Sequence, residues 1–193
     1  DTGSRGLGDV YKRQIDKRSN ESSHLKSDLQ YYKSFMEWGM DGETNAFLEE
    51  VFLWLYENLP LSPNPKKLCW GDSRIGNVLF EDFQVKSLLD WEMATIGDPL
   101  CDLAWGLTTD DVSSHGLNIE KLPGSITNEE AIKFWEKNTG FSADNFFYYR
   151  ILCLFKFSVI MIRVAKKLIH NEIMPLDSDF HVNNHVSNYL RQE

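Results

Sequence analysis

The stretch CWGDSRIGNVLFEDFQVKSLLDWE, Cys69 to Glu92, decides how the chain is read. Short apolar runs, KLCW at its start, then NVLF and VKSLLDW, are separated by GDSRIG and EDFQ; runs of this length bounded by turn residues predict strands. Their apolar content makes them look like buried strands. Asp72, Asn77 and Asp90 nevertheless stand among them, two carboxylates and an amide where a core tolerates neither without partners. Asp72 and Asn77 lie five residues apart on a loop between two of the predicted strands, and Asp90 follows thirteen residues later at the end of another.

Outward from this region the period becomes helical. His24 to Met40 carries Leu25, Leu29, Tyr32 and Met36 at spacings of three and four, and Glu43 to Asn58 repeats the pattern with Phe47, Val51, Phe52 and Leu55. LPLSPNP then stops it with three prolines. Downstream, helices are predicted over Asp98–Leu107, over Asn128–Asn138 with Asn128 as N-cap and Gly140 just past the end, over Asp144–His170, and over Val182–Arg191. The expected organisation is one α+β domain, mainly helical, with a small β insert.

The 193 residues, 42% apolar with 13% aromatics, suffice for a sizeable core. The formal charge of −9 argues against nucleic acid or an anionic membrane as the main partner. It leaves room for a cationic ligand, or an anionic one carried by metal ions. Cys69, Cys101 and Cys153 are odd in number and far apart, and read as reduced core thiols of a cytoplasmic protein. Ile151–Leu168 is too short and, with Lys156 and Arg163, too charged to span a bilayer. Asp1–Gln14 is Gly-rich and aperiodic and is read as a non-native or disordered tail, so the native domain, 15–193, is expected to start near Ile15 and to be truncated upstream.

The order Asp72, Asn77, Asp90 suits metal-dependent phosphoryl transfer. That reaction needs a carboxylate beside the acceptor hydroxyl and hard oxygen ligands that hold Mg²⁺ against nucleotide phosphates. WGDSRIGNVLF with LLDWEMATIGDPLCDLAW resembles the catalytic core of the aminoglycoside phosphotransferase and choline kinase group, relatives of the protein kinases, in which H-G-D-x-x-x-x-N precedes a strand ending in a metal-binding Asp. It is most similar to the phosphotransferases that carry D-W-E, including kinase domains joined to acyl-CoA dehydrogenases. The resemblance covers most of Ser23 to Glu193 and implies the C-terminal lobe of a protein-kinase-like fold, with ATP as phosphoryl donor and Mg²⁺ as metal.

Carried over residue by residue, the resemblance makes Asp72 the catalytic base, Arg74 a cation facing the transferred phosphoryl group, and Asn77 and Asp90 the ligands of Mg·ATP. It makes Asp102 a brace that accepts backbone N–H bonds from the catalytic loop. The acceptor it implies is a small-molecule hydroxyl: a sugar, an amino alcohol or a hydroxyacyl-CoA thioester. The chain departs from the pattern in three places. Trp70 replaces the usual His, and is expected to pack or stack rather than to brace through a polar group. Trp91-Glu92 replaces Phe-Gly. No V-A-I-K-like strand precedes the loop, and GLGDV, Gly6 to Val10, only faintly echoes a glycine-rich loop. The reading is therefore a catalytic lobe alone, for which weak nucleotide affinity is expected; the alternative is a non-catalytic, pseudokinase-like binding module.

Other readings stay open beside these. Asp72 and Asn77 are good turn formers, Arg74 is a plausible solvated loop cation, and Glu92 is either exposed or an extra ligand. Asp98 reads as a helix cap, and Asp110 and Asp111 as an exposed acidic loop. His181 and His185 have helical metal-ligand spacing without a third strong ligand. Trp70, Trp91 and Trp105 are expected to pack the core beneath the site.

Overall fold

The computed structural model describes residues 24–193; the Asp1–Gln14 tail and the GLGDV cluster lie outside the described residues. The elements run α1 (His24–Met40), α2 (Ala46–Glu57), β1 (Lys67–Cys69), β2 (Val78–Glu81), β3 (Gln84–Leu88), β4 (Thr95–Gly97), α3 (Leu100–Ser114), α4 (Asn128–Thr139), α5 (Phe146–His170) and α6 (His185–Leu190). Short 3₁₀ turns, Ile75–Asn77 and Trp91–Met93, precede β2 and β4.

Helix α5 is the hub, touching α1, α2, α3 and α6. Leu152, Leu154, Phe155, Val159 and Ile162 are buried along it, and the α1 stripe of Leu29, Tyr32 and Met36 packs into the same core. Burying each such side chain contributes about 1.5–3 kcal/mol, which is what holds a helix whose isolated propensity is marginal. The ends are capped locally. The Leu48 amide donates to the Asn45 side chain at 3.1 Å, and Asn184 accepts from the Val186 and Ser187 amides. Helix α4 is capped by Thr127, one residue earlier than expected, because Thr127 and Glu130 form a reciprocal capping box that Asn128 cannot join. Gly140 ends it in the left-handed conformation.

The β insert consists of two antiparallel pairs, β1 with β4 and β2 with β3. Sequence periodicity did not reveal β4, whose three residues are identified only by pairing Cys69 with Thr95 and Lys67 with Gly97. The expectation of buried strands fails for β2 and β3. Every residue from Leu79 to Asp90 is exposed, including Phe80 and Val85, since among the described residues the hairpin packs mainly against itself.

Helix α3 runs to Ser114 rather than stopping at Leu107, so TTDD is helical and not a loop. Asp111 is buried and anchors the domain. It accepts from Arg150 Nη1 at 2.7 Å, Lys121 Nζ at 2.9 Å and Asn128 Nδ2 at 2.7 Å. Burial pushes its pKa up, but these donors outweigh burial and leave it lowered. No helix among the described residues is long and apolar enough to cross a membrane. Cys69, Cys101 and Cys153 are unpaired thiols, and burial pushes Cys153 up to about 12.

Candidate active site

The two strand pairs bracket the site. Cys69 pairs with Thr95 at one end, and at the other Val78 pairs with Leu88, while the Leu89 amide extends the ladder by donating to the Asn77 carbonyl at 2.8 Å. The loop 70–77 and the segment 89–94 are thereby held side by side. Asp72 and Asn77 are on the first, and Asp90 follows the last laddered residue of the second. Gly71 makes the close approach possible: its φ is +90°, and a Cβ there would lie 2.3 Å from the Met93 carbonyl oxygen.

Within the loop both carboxylate oxygens of Asp72 are engaged. Its Oδ2 accepts from Asn77 Nδ2 at 2.7 Å and Arg74 Nε at 3.1 Å, and its Oδ1 accepts from Trp105 Nε1 at 2.8 Å. Asp72 and Asn77 are buried at 8% and 7% exposure, so these bonds form largely out of water and fix the carboxylate plane. Asn77 Nδ2 also donates to the Asp72 carbonyl at 3.0 Å. With its nitrogen committed twice, Asn77 has only its amide oxygen to offer a ligand. Arg74 is half-exposed and tied to Asp72.

Asp90 is exposed and has a left-handed backbone, φ 59° and ψ 63°, uncommon for a residue with a Cβ and concentrated at functional sites. Its carboxylate faces solvent at the edge of the loop that carries Asn77.

Asp102, in the first turn of α3, braces the loop: its Oδ2 accepts from the Trp70 amide at 2.7 Å and its Oδ1 from the Gly71 amide at 2.8 Å. Burial raises its pKa against the pull of those two amides. Ser73 Oγ donates to the Asp102 carbonyl at 2.6 Å, a second tie between loop and helix. Trp70 corrects an expectation. Its indole N–H donates to the Leu89 carbonyl at 2.7 Å, so it does serve as a polar brace, joining the loop to the residue before Asp90. Trp91 stacks obliquely beside it at 6.0 Å and is half-buried, so of the three tryptophans only Trp105 is core.

The bond from Trp105 to Asp72 was not legible beforehand. A buried Trp requires a partner for its N–H, but nothing local names that partner. The N-cap of α3 is Pro99 and not Asp98, which stands one residue earlier; its carboxylate still accepts from the Leu100 amide at 2.9 Å and takes Asn64 Nδ2 at 3.0 Å, which ties the Pro-rich loop to the site. His181 faces Glu43 at 3.3 Å, and His185 packs edge-on against Phe157. Among the described residues no group of three or more His, Cys, Asp or Glu side chains is placed to hold a metal alone.

The model of the phosphotransferase enzyme family matches residues 13–124. Acyl-CoA dehydrogenase family member 11 of Pongo abelii is 32% identical over 124 residues, covering 58% of this chain and 16% of that protein. Its Gallus gallus counterpart is 33% identical over 138 residues, covering 64% of this chain and 18% of that protein. The chain thus spans less than a fifth of the length of these curated relatives. A Ralstonia eutropha protein provisionally named an aminoglycoside phosphotransferase superposes with a TM-score of 0.69 at 16% identity, over 95% of this chain and 57% of the other. That likeness identifies the fold as the C-terminal helical lobe of a kinase-like protein, with the small β insert carrying the loop. With its loop, brace and β insert in that arrangement and well over half its length matched, the chain belongs to the phosphotransferase enzyme family.

Proposed function

We propose that this lobe is the catalytic part of an enzyme that transfers the γ-phosphoryl group of ATP to the hydroxyl of a small molecule in the cytoplasm. Asp72 orients the acceptor hydroxyl and takes its proton, and Arg74 offsets the charge that develops on the transferred group. Asn77, through its amide oxygen, and Asp90, through its carboxylate, are the residues that would hold Mg²⁺. The observation that carries the reading is the double commitment of the Asn77 nitrogen to Asp72, which leaves its neutral amide oxygen to offer, on a backbone that the Leu89 amide ties to the segment carrying the exposed Asp90. This fits a metal that prefers hard oxygens, takes one or two protein ligands and completes its shell with phosphates and water. When bound, Mg²⁺ neutralises the phosphates; the chain's own residues supply positioning and the proton acceptor.

The acceptor belongs to the sugars, amino alcohols or hydroxyacyl thioesters. The test incubates the full-length protein with Mg·ATP and a panel of these, reading ADP and phosphorylated acceptor. Asp72→Asn lowers turnover by about 10²–10⁴-fold, the range of general-base contributions. Asp90→Ala weakens Mg·ATP binding. Turnover unchanged in both variants overturns the reading, and ligand binding without any turnover in the unaltered protein would instead mark a binding module.

A further inference from the structure

A cleft of 840 Å³ lies between α1 and α5 and has no part in the scheme above. Tyr31, Tyr32 and Phe35 form its aromatic wall, while Arg163, Lys166 and Lys167, with His170 beside them, bring a concentration of positive charge to a protein of net charge −9. Lys167 and His170 occupy the last turn of α5, where cations suit the helix dipole. Arg163 and Lys166 lie outside that turn, so the dipole does not account for them. Among the described residues neither Lys166 nor Lys167 forms an ion pair, and Arg163 is fixed over the Trp38 ring at 3.8 Å.

Met93 connects this cleft to the catalytic loop. It lines the cleft, and its carbonyl is the atom against which Gly71, the residue before Asp72, is packed. Lys156 shares a smaller pocket with Gly71, whereas Lys166 is ten residues further along α5, about 15 Å at 1.5 Å per residue. Glu92 stands with Met93 at the catalytic end and repels an anion there. The cleft is therefore polarised: acidic beside the loop, aromatic along its wall, basic at the far end.

We propose that this cleft binds the acceptor, an elongated and largely apolar molecule with a phosphate or comparable anion roughly 15 Å from the hydroxyl that Asp72 engages. The proposal rests on the phosphotransferase reading for the role of Asp72, while the cleft's preference for an anion stands on its own lining. A cleft rimmed by cations focuses potential on anions and rejects cationic acceptors such as amino sugars and amino alcohols.

The test is calorimetric binding of three probes with one tail, hexyl phosphate, hexanol and hexyltrimethylammonium, without nucleotide or Mg²⁺. The phosphate binds best and the ammonium not measurably. Lys166→Gln/Lys167→Gln weakens the phosphate about tenfold or more, as loss of charged hydrogen bonds implies. Equal affinity for the three probes, or no loss in the double variant, overturns the proposal. So does co-sedimentation with vesicles of phosphatidic acid in phosphatidylcholine without any response to hexyl phosphate, which would assign the cations to a lipid surface. Because no turnover is read, a failed phosphotransferase assay and a failed cleft assay are separate results.

Discussion

The hydrogen bond from Trp105 to Asp72 joins the core to the proposed base, and its strength is open to measurement. Trp105 is 4% and Asp72 8% exposed, and donor and acceptor stand 2.8 Å apart. A buried hydrogen bond to an ionised acceptor contributes about 1.5–3 kcal/mol. Trp105→Phe removes the donor, leaves Oδ1 without it and trims a ring that packs against Phe157 at 6.1 Å, so its total cost is about 2–4 kcal/mol. Asp72→Ala strips the indole N–H of its acceptor and leaves Asn77 Nδ2 only the backbone carbonyl of residue 72. The double-mutant cycle isolates the shared bond: the pair together should destabilise by about 1.5–3 kcal/mol less than the sum of the single effects. Urea unfolding of the four proteins, followed by circular dichroism with matched m-values, measures this directly. A coupling below about 0.5 kcal/mol, the scatter of independent sites, would refute the claim that Trp105 holds the carboxylate.

Three further outcomes follow from the same structure. Gly71→Ala places a Cβ 2.3 Å from the Met93 oxygen at φ +90°, so it should cost about 2 kcal/mol or more and lower the melting temperature by roughly 5 °C; a shift below 1 °C would contradict the packing described. Lys156, 3.0 Å from Asp28, stays charged because Asp28 outweighs the burial that opposes its ammonium; Lys156→Met should cost about 3–5 kcal/mol, and Lys156→Met with Asp28→Leu should recover most of that in the same unfolding assay. The lowered pKa of Asp111 contributes stability that is present above the unfolded carboxylate value of about 4 and is lost as pH falls through the folded value, so the stability gap between wild type and Asp111→Asn should shrink between pH 7 and pH 3; an unchanged gap speaks against the network.

Much of the molecule was legible from local patterns. The stripe of Leu25, Leu29, Tyr32 and Met36 marked α1 with its end at Met40, and the proline run marked the end of α2, because helical periodicity and chain breaking act over a few residues. The loop motif placed Asp72 and Asn77 together, and DLAW pointed to Asp102 as the brace. Its bonds to the Trp70 and Gly71 amides match that expectation. Apolar content, by contrast, suggested burial for NVLF and VKSLL, yet these strands are exposed, since burial depends on what packs against a strand and not on its own composition.

The sequence by itself determined most of the helices and the loop that carries Asp72 and Asn77, because each is encoded within a dozen positions. Only the tertiary structure decided which groups meet across longer spans. Trp105 reaches Asp72 across 33 residues, Lys156 reaches Asp28 across 128, and three-residue β4 exists only through its partner β1. The same is true of the polarised cleft, whose aromatic wall comes from α1 and whose cations come from α5, brought together by burial of the core between them.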